Sequence, residues 1–185
     1  MVILLLFVKK LYNIIYNHLY QFSFETKQYN QFNNLTNPKY FLTIFNKNKH
    51  NFLLFLLKID NINYNIFIHT NQNNQLDFYL VKFRFSQDLY NGTLFNGELV
   101  QNHKKCWFYF ITDLLYNQRE YTQQYPFSKK LQMISTILKE KYEYDEYMNV
   151  CHLKIKSFFL YNNLNFITKD CRLLFIPDNY QNNMY

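Results

Sequence analysis

Alanine is absent from this chain of 185 residues, and glycine (2), proline (3), cysteine (3) and tryptophan (1) are all scarce. So little glycine and proline excludes a collagen-like repeat and flexible Gly/Pro linkers. The three cysteines, Cys106, Cys151 and Cys171, are odd in number and far apart, with only the neighbouring His152 at any ligand-like distance. That pattern supports neither a disulfide framework nor a structural zinc. The longest apolar run, Val2 to Val8, falls well short of the roughly 18 residues that cross a bilayer. It is followed by Lys9 and Lys10 instead of preceded by positive charge, and no small-residue cleavage site comes after it. The expectation is an intracellular, cytoplasmic protein with no membrane partner. Charge is also sparse, at 18% of residues, which argues against a disordered polyelectrolyte.

What the chain does have is aromatic: 20 Phe and 18 Tyr in a sequence that is 49% hydrophobic, enough for one ordinary domain with a core. The net charge is +7, compatible with a polyanionic partner. Missing alanine, together with an excess of Asn, Lys, Tyr, Phe and Ile, is what an A+T-rich coding sequence produces, so part of the lysine content is compositional background.

Residues 1–20 carry Leu4, Val8, Leu11, Ile15 and Leu19 at helical spacing, and residues 24–38 are polar and end in Asn37-Pro38. These features predict an amphipathic helix and a linker, separating residues 1–38 from a domain over 39–185. From Tyr40 the pattern changes to short β-branched and aromatic runs, Tyr40–Phe45, Asn51–Ile59, Tyr64–His69 and Phe78–Phe85, broken by Asn clusters at 61–65 and 71–74. Each run has strand length, and Asn suits the breaks because it tolerates the left-handed conformation, so an antiparallel sheet is predicted.

The two glycines lie five positions apart in Tyr-Asn-Gly-Thr-Leu-Phe-Asn-Gly-Glu-Leu-Val, residues 90–100. Asn91-Gly92 reads as a hairpin turn, and Gly97, inside a strand-like run, as a bulge or a close approach of ligand or backbone. A turn at 102–105 leads into an aromatic strand, Cys106–Leu115, whose period of two places Trp107, Tyr109, Ile111 and Asp113 on one face. Phe127, Leu131, Ile134, Ile137 and Leu138 then spell an amphipathic helix with Ser128 as its cap, and residues 151–160 return to strand.

Three of these strings occur in an order known elsewhere. Gly92-Thr93-Leu94-Phe95-Asn96-Gly97-Glu98-Leu99-Val100, then Phe108 to Asn117, then Pro126-Phe127-Ser128-Lys129-Lys130-Leu131, resemble the covalent nucleotidyltransferases. The nearest branch is the mRNA-capping guanylyltransferases of large DNA viruses and cytoplasmic linear plasmids, and Phe158-Phe159-Leu160-Tyr161 resembles the family's next strand. The resemblance implies an α+β fold, antiparallel sheets with packed helices, as a partial adenylation-type domain without the OB-fold lid.

It also implies transfer of GMP from GTP to an RNA 5′ diphosphate end through a lysyl-GMP intermediate, with Mg2+ or Mn2+ on the phosphates. Glu98 is then expected to bind ribose hydroxyl, Tyr109 to stack on the base, and Gly97 to let the nucleotide approach the backbone. The family's Lys-x-Asp-Gly-x-Arg string is missing. Asn46-Lys47-Asn48-Lys49-His50-Asn51 occupies its place, and Lys58-Ile59-Asp60 keeps only Lys and Asp, so Lys47 or Lys58 is the expected nucleophile. Downstream Asp-Gly and Lys-x-Lys strands are not found either, which would leave a second protein chain to complete the pocket. The alternatives are a non-catalytic module that binds a capping or transcription complex, and an ATP-dependent polynucleotide ligase-type adenylation domain.

Overall fold

A computed structural model of the chain describes residues 40–44, 49–160 and 173–178, together with Asn13. The chain divides into two units, Met1–Thr36 and Asn37–Tyr185, and every described residue except Asn13 belongs to the second. The predicted N-terminal helix and linker lie outside the described residues; Asn13 itself is helical and exposed.

Alternating apolar residues and tight polar turns build one seven-stranded sheet. Strands β2 (His50–Ile59), β3 (Ile62–Thr70), β4 (Leu76–Val81), β6 (Asn91–Gln101), β7 (Trp107–Asn117) and β10 (His152–Ile155) run in the spatial order β10-β7-β6-β2-β3-β4, with β8 (Glu120–Tyr121) pairing with β7. All pairings in it are antiparallel except β10 with β7. A second sheet sets β1 (Tyr40–Ile44) between β11 (Phe159–Leu160) and β12 (Leu173–Pro177), and β5 (Arg84–Phe85) pairs with β9 (Tyr142–Glu143). A short 3-10 turn, Gln87–Tyr90, and a single α-helix, α1 (Phe127–Glu140), complete the described elements.

The α+β expectation is therefore corrected: the described residues form a mainly antiparallel β structure with one α-helix. Connections between the central strands are too short to hold helices. Asp60 and Asn61, both at positive φ, turn β2 directly into β3, the geometry of a two-residue hairpin. Between β3 and β4 the Asn71 side chain accepts from the amides of Asn73 and Gln75, and between β6 and β7 Asn102 does the same for Lys104 and Cys106.

Asn91-Gly92 does not form a hairpin turn. It opens β6, where Thr93 opposes Leu56 and Asn91 opposes Leu57, so Gly92, at φ 93°, is the extra residue of a bulge. Nor does Ser128 cap the helix. Pro126 holds the cap position, and the amides of Phe127 and Ser128 donate to the main-chain and side-chain oxygens of Asp178.

The main core lies on the α1 side of the large sheet. Leu54 and Leu56 of β2, Phe67 of β3, Phe95 of β6 and Tyr109, Ile111 and Leu114 of β7 pack there with Ile134 and Ile137 of the helix. Phe55, Ile66, Ile68 and Leu94 alternate with those residues, point to the opposite side, and are buried as well. The Glu98 side chain emerges on that opposite side.

Candidate functional site

Glu98 alternates with Gly97 and Leu99 on β6, so its carboxylate leaves the sheet on the side away from α1. It is only 5% exposed. Two lysines from distant parts of the chain close on it: Lys49 Nζ donates to Oε1 at 2.7 Å, and Lys156 Nζ to Oε2 at 2.6 Å. Local geometry explains both. Asn51 stands opposite Glu98, so Lys49, two residues earlier on the same side, reaches the carboxylate diagonally. Lys154 stands opposite Phe110, which stands opposite Glu98, and Lys156 comes two residues further on, anchored by its amide to the carbonyl of Ile111.

The cluster brings two ammonium groups to one carboxylate. The lysine side chains keep 17% and 11% exposure, so the group touches water at its lysine end. Desolvating three charges is costly, and an apolar cluster of equal volume would often stabilise a fold as well or better. What the arrangement supplies is a positioned carboxylate acceptor beside two cations suited to phosphate.

Phe110 is the β7 neighbour of Glu98 and is half-buried on the same side, where a ring face can meet a ligand. Tyr109, the ring expected to stack on a base, is one residue away and on the other side of the sheet. It is fully buried, lies 4.9 Å from the Phe67 ring, and donates its hydroxyl to the carbonyl of Phe52 at 2.9 Å. Burial pushes its hydroxyl well above the ordinary tyrosine range. As a stacking platform Tyr109 is thus corrected to a core residue.

Gly97 has a matching explanation. A Cβ there would sit 2.4 Å from Tyr109 Cζ and 2.7 Å from the Phe110 carbonyl oxygen, so the close approach it permits is that of the Tyr109 ring and β7 backbone.

Lys47 lies outside the described residues. Lys58 is exposed at the far end of β2, seven residues and about 23 Å of strand from Asn51, the residue opposite Glu98. Lys58 is not brought to the carboxylate; Lys49, from the same Asn/Lys-rich run as Lys47, is. The signal that could have found Lys49 is alternation, since it shares a strand side with Asn51. Lys156 carries no comparable signal, because nothing in its local sequence reveals that β10 pairs parallel to β7.

Asp113 forms a second ion cluster. Between Gly97–Ile111 and Asn96–Asp113 the ladder slips by one residue, leaving Thr112 unpaired and taking Asp113 out of the Tyr109 alternation. Its carboxylate accepts from Lys130 Nζ at 2.7 and 2.9 Å, from the Leu114 amide at 2.8 Å and from Gln123. Lys130, on α1, is fully buried.

Mg2+ and Mn2+ take hard oxygen donors. Both oxygens of Glu98 are held by ammonium groups, and among the described residues no group of three His, Cys, Asp or Glu could hold a metal. The described side chains thus do not fit a protein-held metal. Among the described residues no helix is long and apolar enough to cross a membrane. No family model and no curated protein matches the chain.

Proposed function

We propose that this chain binds a nucleoside triphosphate at the Glu98 cluster as a capping-type guanylyltransferase domain, with Lys49 in the nucleophile's place and Lys156 on phosphate. One observation carries the proposal: a buried strand carboxylate meets the ammonium groups of Lys49 and Lys156, both of which keep contact with water. Ribose hydroxyls need a buried acceptor, the triphosphate needs cations, and the Phe110 ring lies beside both.

Lys49, as found, donates to Glu98 and has no lone pair to attack with. In the proposed step a ribose hydroxyl takes over the carboxylate, and Lys49 loses a proton to solvent. Its Nζ then bonds to the α-phosphorus of GTP as the bond to the β-phosphate oxygen breaks and pyrophosphate departs. Attack by an RNA 5′ diphosphate oxygen next breaks the phosphorus–nitrogen bond and frees the lysine.

Incubation with α-labelled GTP and Mg2+ is expected to leave acid-labile, base-stable label on the chain. Lys49→Ala should abolish it, while Lys47→Ala and Lys58→Ala retain it. An unlabelled wild-type chain would falsify the transfer reaction. Excess unlabelled ATP that competes better than GTP would favour a ligase-type activity instead.

A second reading has its own support. Both Glu98 oxygens are already engaged and the Lys-x-Asp-Gly-x-Arg string is missing, which fits a module that binds nucleotide or a capping complex without transfer. It predicts saturable GTP retention in equilibrium dialysis with no covalent label.

A further inference from the structure

Beside the Glu98 cluster, on the same side of the sheet, four rings stand in a row. Phe110 and Phe108 alternate along β7, His152 on β10 stands opposite Phe108, and Tyr144 follows from the segment after β9. Their planes are nearly parallel: 16° and 5.9 Å between Phe110 and Phe108, 28° and 5.0 Å between Phe108 and His152, 16° and 5.1 Å between His152 and Tyr144. The first three are half-buried and Tyr144 is 48% exposed.

Charge runs along the row. Lys154 is exposed with its Nζ 5.0 Å from the centre of the Phe108 ring, and Lys156 and Lys49 lie past Phe110. At the Tyr144 end stand Glu143 and Asp145, paired with Arg84, and the exposed Glu146. A polyanion is therefore attracted at one end and repelled at the other. Aromatic rings partly open to solvent and tracked by lysines are the elements with which proteins hold unpaired nucleotides.

We infer that the Phe110–Phe108–His152 row is a binding path for single-stranded RNA. Bases stack on the rings, Lys154 neutralises a phosphate, and the strand ends at Lys156 and Lys49. This rests on the guanylyltransferase proposal only for which RNA end arrives at the lysines; the binding itself is independent of it.

The test is fluorescence anisotropy of the full chain with a 3′-labelled ten-nucleotide uridine RNA, the DNA of matching sequence, and a ten-base-pair RNA duplex. The single-stranded RNA is expected to bind at least ten-fold more tightly than the duplex. Phe108→Ala should weaken binding about ten-fold, as loss of one stacked base does. Lys154→Ala, at an exposed position that leaves folding intact, should weaken it and lower the slope of log affinity against log salt by about 0.7, the value for one single-strand phosphate. Variants within two-fold of wild type, equal binding of the duplex, or tighter binding of DNA overturns the path. RNA binding that survives while GTP labelling fails removes the transfer reaction and keeps the path; labelling that survives in Phe108→Ala and Lys154→Ala with RNA affinity unchanged does the reverse.

Discussion

Two lysine–carboxylate clusters lie close together on the β6–β7 ladder, and they are built differently. At Asp113 one fully buried ammonium meets one carboxylate, and the Leu114 amide and Gln123 supply further donors. The cluster ties α1 to the sheet. At Glu98 two ammonium groups share one carboxylate, and both lysines retain contact with water. A fully buried lysine fastens secondary structure; lysines that still touch water can reach a ligand. The sequence singled out Glu98 through its motif, but showed neither the lysines that meet each acid nor how deeply they lie.

The sharpest way to break this comparison is to unbalance the Asp113 cluster. Asp113→Asn takes away the carboxylate that the buried Lys130 ammonium meets, and breaking a buried pair from one side costs about 3–5 kcal/mol. Urea unfolding should show a loss of that size; a loss below about 1 kcal/mol would mean that the helix is not anchored there.

Gly97, the residue between Asn96 and Glu98, gives the next largest effect. Gly97→Ala drives a methyl group into the Tyr109 ring and the Phe110 carbonyl and should cost about 1–3 kcal/mol, toward the upper end. Melting followed by circular dichroism would measure it.

Lys49→Gln should invert the pattern. The partly exposed lysine leaves behind a carboxylate that still has Lys156, so stability falls by no more than about 1 kcal/mol, while GTP affinity in equilibrium dialysis drops ten-fold or more. Equal affinity in Lys49→Gln and wild type would erase the distinction between the clusters.

Cys151 supplies the smallest effect and a reporter. Burial beside the core pushes its thiol up to about 12 from an ordinary 9. The folded chain therefore holds the thiol proton more tightly than the unfolded one. The associated stability is complete below pH 9 and is lost as pH rises toward 12. Cys151→Val should remove part of the alkaline decline in stability and change nothing at pH 7. In mild urea at pH 8, iodoacetamide should modify exposed Cys106 quickly in every variant, but Cys151 only where the Asp113 cluster has been broken.

Much of the β architecture was legible in residue order. Predicted runs at 40–45, 51–59 and 64–69 appear as β1, β2 and β3 with ends moved by a residue or two, because period-two alternation and Asn turns are local signals. The predicted run 78–85 divides into β4, ending at Val81, and β5, starting at Arg84. Helix α1 was equally visible in its apolar spacing. Its cap was not, since Asp178 is fifty residues from Ser128.

The site was half legible. Glu98 stood out through its motif and is buried among lysines; Tyr109 stood out too, but β7 is aromatic at four consecutive positions, 107–110, and only register tells which ring shares a side with Glu98.

By itself, the order of residues determined which segments extend, where they turn, and that an acid would rise from an aromatic strand pair, because those outcomes depend on neighbours within a few positions. Tertiary structure alone decided which lysines meet that acid. The parallel joining of β10 to β7 and the diagonal reach of Lys49 are long-range pairings, and a shift of one residue in either would send a different side chain to the carboxylate.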